Sequence, residues 1–245
     1  MVTKKRQTVS QISLCRALSK LGIVSRSQAR LAISAGRVTV NGRTVRDADA
    51  WLDPRSDRIA LDGKTVRPTV KRYAMMNKPT GLVTTRSDER GRNTVYALLP
   101  PEYAGCFPVG RLDKDTGGLL LFTNDTRFGE TITNPERKIH KSYVARVDHT
   151  LTSRDAEIME QGMSLADGTR LMPAMVVRHG DRSVCTISIT EGKNRQVRRM
   201  LETLGFKVLS LVRVRIGSLE LGDLAPGQFR AVTAKELLML KESIQ

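Results

Sequence analysis

Four charged side chains crowd together at Arg111, Asp113, Lys114 and Asp115. Gly110 breaks the run before them, and Thr116-Gly117-Gly118 after them reads as a flexible turn. Leu119 to Thr123 is then a short apolar run bounded by turn residues, the pattern of a buried strand. A charged loop feeding a buried strand can hold a carboxylate rigidly, and such a carboxylate can act as base or nucleophile. The same pattern also fits a salt-bridged turn with no chemistry in it.

Other chemistries lack their residues. Cys15, Cys106 and Cys185 are far apart and odd in number, which argues against a disulfide framework. His140, His149 and His179 show no metal-ligand spacing. There is no phosphate-binding Gly-x-x-x-x-Gly-Lys-Ser/Thr loop and no Gly-x-Ser-x-Gly elbow. The expectation is an activity without metal or cofactor.

The net charge of +16 predicts a polyanionic partner whose affinity falls as salt rises. Its distribution sharpens this. Residues 1–70 carry 14 Lys/Arg against 5 Asp/Glu, and no acid precedes Asp47 while ten cations do. So one-sided a field reads as a nucleic-acid surface. With aromatics at 4%, stacking of many bases is disfavoured, and the partner expected is a structured RNA read by backbone and shape. No apolar run approaches the roughly 20 residues of a membrane helix. Met1–Ser10 is a poor signal peptide, so a cytoplasmic monomer without an obligate protein partner is expected.

The elements follow from local pattern. Residues 1–10 read as a disordered basic tail. Residues 11–21 read as a helix stopped by Gly22, and Ser25-Arg26-Ser27-Gln28 as the capping box of a second helix ending at Gly36. Arg26 and Arg30 share a face of that helix. Asn41-Gly42 and Asp62-Gly63 mark two hairpins. Pro68 and Lys71-Arg72 place a boundary near residue 70, separating residues 11–70 from a second domain at 71–245.

In the second domain, residues 73–76 read as a strand and 77–81 as a turn. Residues 94–99 and 125–132 read as short helices. His140 to Val147 alternates as a strand with Tyr143, Ala145 and Val147 on one face. Further helices are expected at 152–162, at 191–204 and, capped by Thr233 and Glu236, at 233–243. The helix at 191–204 would carry Lys193, Arg195, Arg198 and Arg199 near its start, where its dipole disfavours cations unless phosphates or a carboxylate lie opposite. In the strand 206–216, Leu211, Arg213 and Arg215 share a face suited to a cleft that holds a base beside a charged backbone.

Gly110-Arg111-Leu112-Asp113 followed by Thr116-x-Gly-Leu-Leu-Leu-x-Thr-Asn-Asp resembles the signature of the RsuA/RluB-type pseudouridine synthases. Asn77-Lys78-Pro79-x-Gly81, Lys141-x-Tyr143 and Gly192-Lys193-x-Arg195-Gln196-Val197-Arg198-Arg199-Met200 resemble its other motifs. Residues 11–70 resemble the RNA-binding module named after ribosomal protein S-four, through Ser25-Arg26, Ala29-Arg30 and Gly36-Arg37-Val38-Thr39-Val40-Asn41-Gly42.

The resemblance implies an α+β fold, with a small helical/hairpin RNA-binding domain before a catalytic domain whose largely antiparallel mixed sheet is flanked by helices. It implies isomerisation of a uridine in structured RNA, ribosomal RNA foremost. Asp113 would be the catalytic carboxylate and Lys193 its paired cation. Tyr143 and Leu211 would hold the uracil, and Arg111 would fill the gap left by the flipped base. Arg26, Arg30, Arg37, Arg195, Arg198 and Arg213 are the remaining candidate RNA contacts. Two rivals stay open: a non-catalytic protein that binds structured RNA, and a hydrolase using Asp115 as a second carboxylate.

Overall fold

The computed structural model describes residues 11–21, 23–53, 56–66 and 70–244. The basic tail at 1–10, the stop at Gly22 and the boundary residue Pro68 lie outside the described residues. The chain forms two compact units, Met1–Lys71 and Arg72–Gln245.

In the small unit, β1 (Ile12–Ser13) leads into α1 (Leu14–Lys20), and α2 (Arg26–Ser34) follows. The expected first helix is shorter at its start because Ile12 and Ser13 pair with Leu52 and Trp51 of β4 (Trp51–Leu52). The Ser25/Gln28 capping box opens α2 with both reciprocal bonds. A four-stranded sheet runs in the order β3 (Arg43–Thr44), β2 (Val38–Val40), β5 (Ile59–Leu61), β6 (Lys64–Thr65). Both hairpins turn on left-handed pairs, Asn41-Gly42 and Asp62-Gly63, whose twist matches that of the strands. Leu14, Leu18, Ile33, Val38 and Ile59 form the unit's core.

In the large unit, β7 (Tyr73–Lys78), β8 (Phe107–Pro108), β9 (Gly117–Thr123), β10 (Lys141–Val147), β11 (Met175–Arg178), β12 (Val184–Ile189), β13 (Val208–Ile216), β14 (Leu219–Glu220) and β15 (Phe229–Ala231) build one sheet. Its order is β11-β12-β10-β13-β9-β7-β15, with β14 beside β13 and β8 beside β9. Every pairing is antiparallel except β13 with β9, a parallel seam of two residue pairs, Val212↔Gly117 and Arg213↔Gly118.

Helices α3 (Thr126–Thr133), α4 (Ser153–Glu160), α5 (Gln196–Thr203) and α6 (Ala234–Glu242) flank the sheet. Strand β9 is buried on both faces. Leu119 and Leu121 pack with Met75 on one side, while Leu120 and Phe122 pack with Met76 on the other. That explains its unbroken apolar run.

Three expectations change in this unit. Asn77 and Lys78 belong to β7 rather than to the turn after it. Gly117 and Gly118 are buried strand residues, not a flexible turn. A Cβ on Gly118, at φ +100°, would come within 2.6 Å of the Arg213 backbone nitrogen, so the glycine permits strand contact. The basic helix starts at Gln196, five residues later than expected. Arg195 precedes it in a left-handed conformation, and the Gln196 side chain accepts the Lys193 N–H at 3.0 Å.

Candidate active site

One cleft of about 620 Å³ opens over the seam, lined by Asp113, Tyr143, Lys193, Leu211, Arg111, Arg195 and Arg213 among others. Leu211 and Arg213 come from β13, Tyr143 from the adjacent β10, and Asp113 from the loop entering β9. Tyr143 and Arg213 face each other across the β10–β13 pairing, with the guanidinium carbon 6.0 Å from the ring centre. Leu211 is buried, Tyr143 and Asp113 are half-buried, and Arg111 is exposed at the rim.

The Asp113 loop is held through its backbone. The Lys78 side chain is fully buried, and its Nζ donates to the carbonyls of Asp113 (3.1 Å), Lys114 (3.3 Å), Thr116 (2.9 Å) and Pro79 (3.1 Å). Gly81 N–H donates to Lys114 O at 2.8 Å, and Thr84 Oγ1 donates to Leu112 O at 2.8 Å. Burial pushes the Lys78 ammonium down to about 8, with the fields of Asp113 and Asp115 opposing. The sequence pattern places Lys78 in a turn, whereas it ends β7. The only trace of its role is an Asn-Lys-Pro run whose lysine closes a strand.

Lys193 lines the same cleft, but the expected ion pair with Asp113 does not form. Its ammonium lies 3.4 Å from Glu191 Oε2 and donates to the Arg170 carbonyl. Glu191 is buried, and its Oε1 accepts from Met172 N–H at 2.9 Å and Gln196 Nε2 at 2.8 Å. Lys193 therefore belongs to a network that fixes the loop before α5.

A second buried cation beside the Asp113 loop is Arg198. It is 7% exposed, and its Nη2 donates to Asp115 O at 2.7 Å. Burial, then Arg195, lowers its proton affinity, while Asp115 and Asp113 raise it. Arg198 is thus an interior group rather than a surface RNA contact. Arg213 lies in the cleft wall rather than on the outer surface: it is 5% exposed and its Nε donates to Leu119 O at 2.8 Å. Arg195 stays at the surface, 3.9 Å from Asp115 and 3.7 Å from Glu202.

In the small unit Arg26 and Arg30 are exposed, and Arg30 meets Asp49 at 3.4 Å. Arg37 is engaged with Asp62, its Nε donating at 2.7 Å. Among the described residues no cluster of three or more His, Cys, Asp or Glu is placed to hold a metal, and no helix is long and apolar enough to cross a membrane.

The RNA pseudouridylate synthase family model matches residues 72–203, more than half of the chain, and the S4 domain model matches residues 14–53. The chain belongs to the RNA pseudouridine synthase family. An uncharacterized RNA pseudouridine synthase of Aquifex aeolicus is 37% identical over 96% of this chain and 95% of its own. The ribosomal large subunit pseudouridine synthase B of Bacillus subtilis is 33% identical over 93% and 95%. The ribosomal small subunit pseudouridine synthase A of Yersinia pestis is 33% identical over 87% and 92%. A crystal structure described as a pseudouridylate synthase aligns with a TM-score of 0.69 at 29% identity, over 94% of this chain and 99% of that one. The synthase isomerises uridine to pseudouridine in RNA, and its small unit is an S4 domain.

Proposed function

We propose that Asp113 is the catalytic carboxylate and that the substrate is a uridine in structured ribosomal RNA. The supporting observation is the convergence on one cleft of a rigidly held carboxylate, an aromatic face and a buried leucine. In this reading Tyr143 and Leu211 hold the uracil. Asp113 acts on the nucleoside as nucleophile or base while the N1–C1′ bond breaks. The base turns, C5 bonds to C1′, and the C5 proton leaves to solvent. Arg198 keeps positive charge beside the Asp113 loop, and Lys78 fixes that loop. Arg111, at the cleft rim, fills the space the flipped uridine vacates.

Relatives named for both ribosomal subunits support ribosomal RNA as the substrate class. The S4 domain supplies affinity and register through Arg26 and Arg30, and the enzyme acts as a monomer in the cytoplasm without an obligate protein partner. The hydrolase rival loses support because Asp115 is exposed and its carboxylate lies 3.9 Å from Arg195.

Pseudouridine mapping of total RNA from cells with and without this gene tests the reading. Loss of modification at a discrete ribosomal site is expected. Unchanged ribosomal RNA with loss at a transfer-RNA site would overturn the substrate class. Release of free uracil by the pure protein would overturn the isomerase role of Asp113.

A further inference from the structure

Lys141 and Arg213 form an uncompensated pair of cations in the cleft wall. Both line the cleft, and among the described residues no hydrogen bond or ion pair engages the Lys141 ammonium. Arg213 bonds through Nε alone, and its buried Nη2 has no partner. An unsatisfied buried guanidinium nitrogen is costly, and a second cation nearby raises the cost. Burial and then Arg213 push the Lys141 ammonium down to about 8. Of the two acids lining the cleft, Glu191 is engaged with Lys193, Gln196 and Met172, and among the described residues no ion pair joins Asp113 to Lys141 or Arg213.

The placement defines what is missing. Lys141 and Tyr143 are two residues apart on β10, so they share a face about 6.6 Å apart along the strand. Arg213 pairs with Tyr143 across the sheet. A nucleoside whose base lies on Tyr143 would place the phosphate next to its own ribose near Lys141, one sugar's length away.

We propose that Lys141 and Arg213 form a subsite for a backbone phosphate flanking the target uridine, a proposal that rests on Tyr143 being the base platform. The phosphate would be held by the charge of both side chains and by the ammonium donors of Lys141. It would fix the nucleotide along β10 while the glycosidic bond is exchanged.

The test uses the full-length protein and three probes: uridine, uridine 3′-monophosphate and uridine 5′-monophosphate. Each is titrated by NMR against wild type, Lys141→Gln and Lys141→Arg. One monophosphate should bind wild type about tenfold more tightly than uridine, a difference of about 1.4 kcal/mol. Which one does so tells which flanking phosphate is held. Lys141→Gln should reduce that ratio to near one with uridine affinity unchanged, and Lys141→Arg should restore most of it.

Among the described residues the Lys141 ammonium has no bonded partner, so the glutamine variant should keep its thermal unfolding midpoint. If that midpoint falls, the arginine variant alone carries the comparison, and a ratio below half of wild type there would overturn the proposal. A ratio near one in wild type, including no detectable monophosphate binding, overturns it. So does a ratio that Lys141→Gln leaves intact, because other surface cations would then bind the phosphate. Equal weakening of all three probes would assign Lys141 to the base instead. Tritium release from C5-labelled RNA by wild type is a separate measurement. Its failure would sink the proposed reaction at Asp113 without touching the phosphate comparison.

Discussion

In the small unit, Arg30 and Arg37 face solvent and meet Asp49 and Asp62 there. In the large unit, Lys78, Arg198 and Arg213 are buried and direct donors at backbone carbonyls. Exposed pairs of the first kind contribute little to stability and are screened by salt. The unit's surplus of cations over acids gives a positive field that attracts RNA from any direction and says little about which atom will react. Buried cations of the second kind do the opposite. Each fixes a stretch of backbone, the Asp113 loop or strand β9, to within hydrogen-bond tolerance, because losing the bond would strand a carbonyl in the interior. One unit uses charge for reach and the other uses it for position.

The sharpest way to break this contrast is to remove the carboxylate that the buried cations position. Asp113→Asn should lower single-turnover tritium release by at least about 10²–10⁴-fold. RNA affinity measured by filter binding should stay within twofold. Retained turnover in a clean preparation would remove Asp113 from the chemistry.

Lys78→Met comes next. It frees four carbonyls around the Asp113 loop, and a misplacement of about 1 Å can cost about 10²-fold in rate. The loss should fall on kcat with KM little changed. A pure KM effect would mean that the lysine meets RNA rather than the loop.

The same lysine gives a pH signature. Burial lowers its native value to about 8 from 10.5, and Asp113 and Asp115 oppose the shift. Between those values the unfolded chain holds the extra proton, so the Lys78 contribution to stability rises with pH from about 8 to about 10.5. Native Lys78 loses its charge over that window, so turnover should decline above about pH 8. Lys141, also lowered to about 8, adds to both trends. Rate and thermal midpoint measured together from pH 7 to 10 should diverge. A parallel fall of both would place the alkaline limb on unfolding.

The smallest effect belongs to the exposed arginines. Arg26→Ala with Arg30→Ala should flatten the log–log salt dependence of RNA binding by about one to two units. Saturated single-turnover rates should stay near wild type. A collapsed rate with intact affinity would show that the small unit positions the target base.

What could be read from sequence was what neighbours in sequence decide. The Ser25 and Thr233 capping boxes, both left-handed hairpin turns and the buried strand at Leu119 are local features, and they formed where expected. The misreadings involve partners far along the chain. Gly118 looked like a turn residue because nothing near it reveals the Arg213 backbone lying against it. Lys193 looked like a helical cation because the left-handed Arg195 that delays α5 has no signature of its own. The anchoring role of Lys78 has no local sign because three of its four carbonyl partners lie in a loop 35 to 38 residues away.

The two-residue seam between β9 and β13 also bears on how the enzyme comes into being. Arg213 and Leu119, bonded across it, are 94 residues apart in sequence. Contacts of such high order form late, because a long loop must close before they stabilise anything. On a nascent chain the S4 domain and the strands β7 to β9 emerge well before β13. The cleft therefore cannot exist until most of the protein has been synthesised. An incomplete chain would carry an RNA-attracting surface without a working base site, so truncated products should compete for RNA without modifying it.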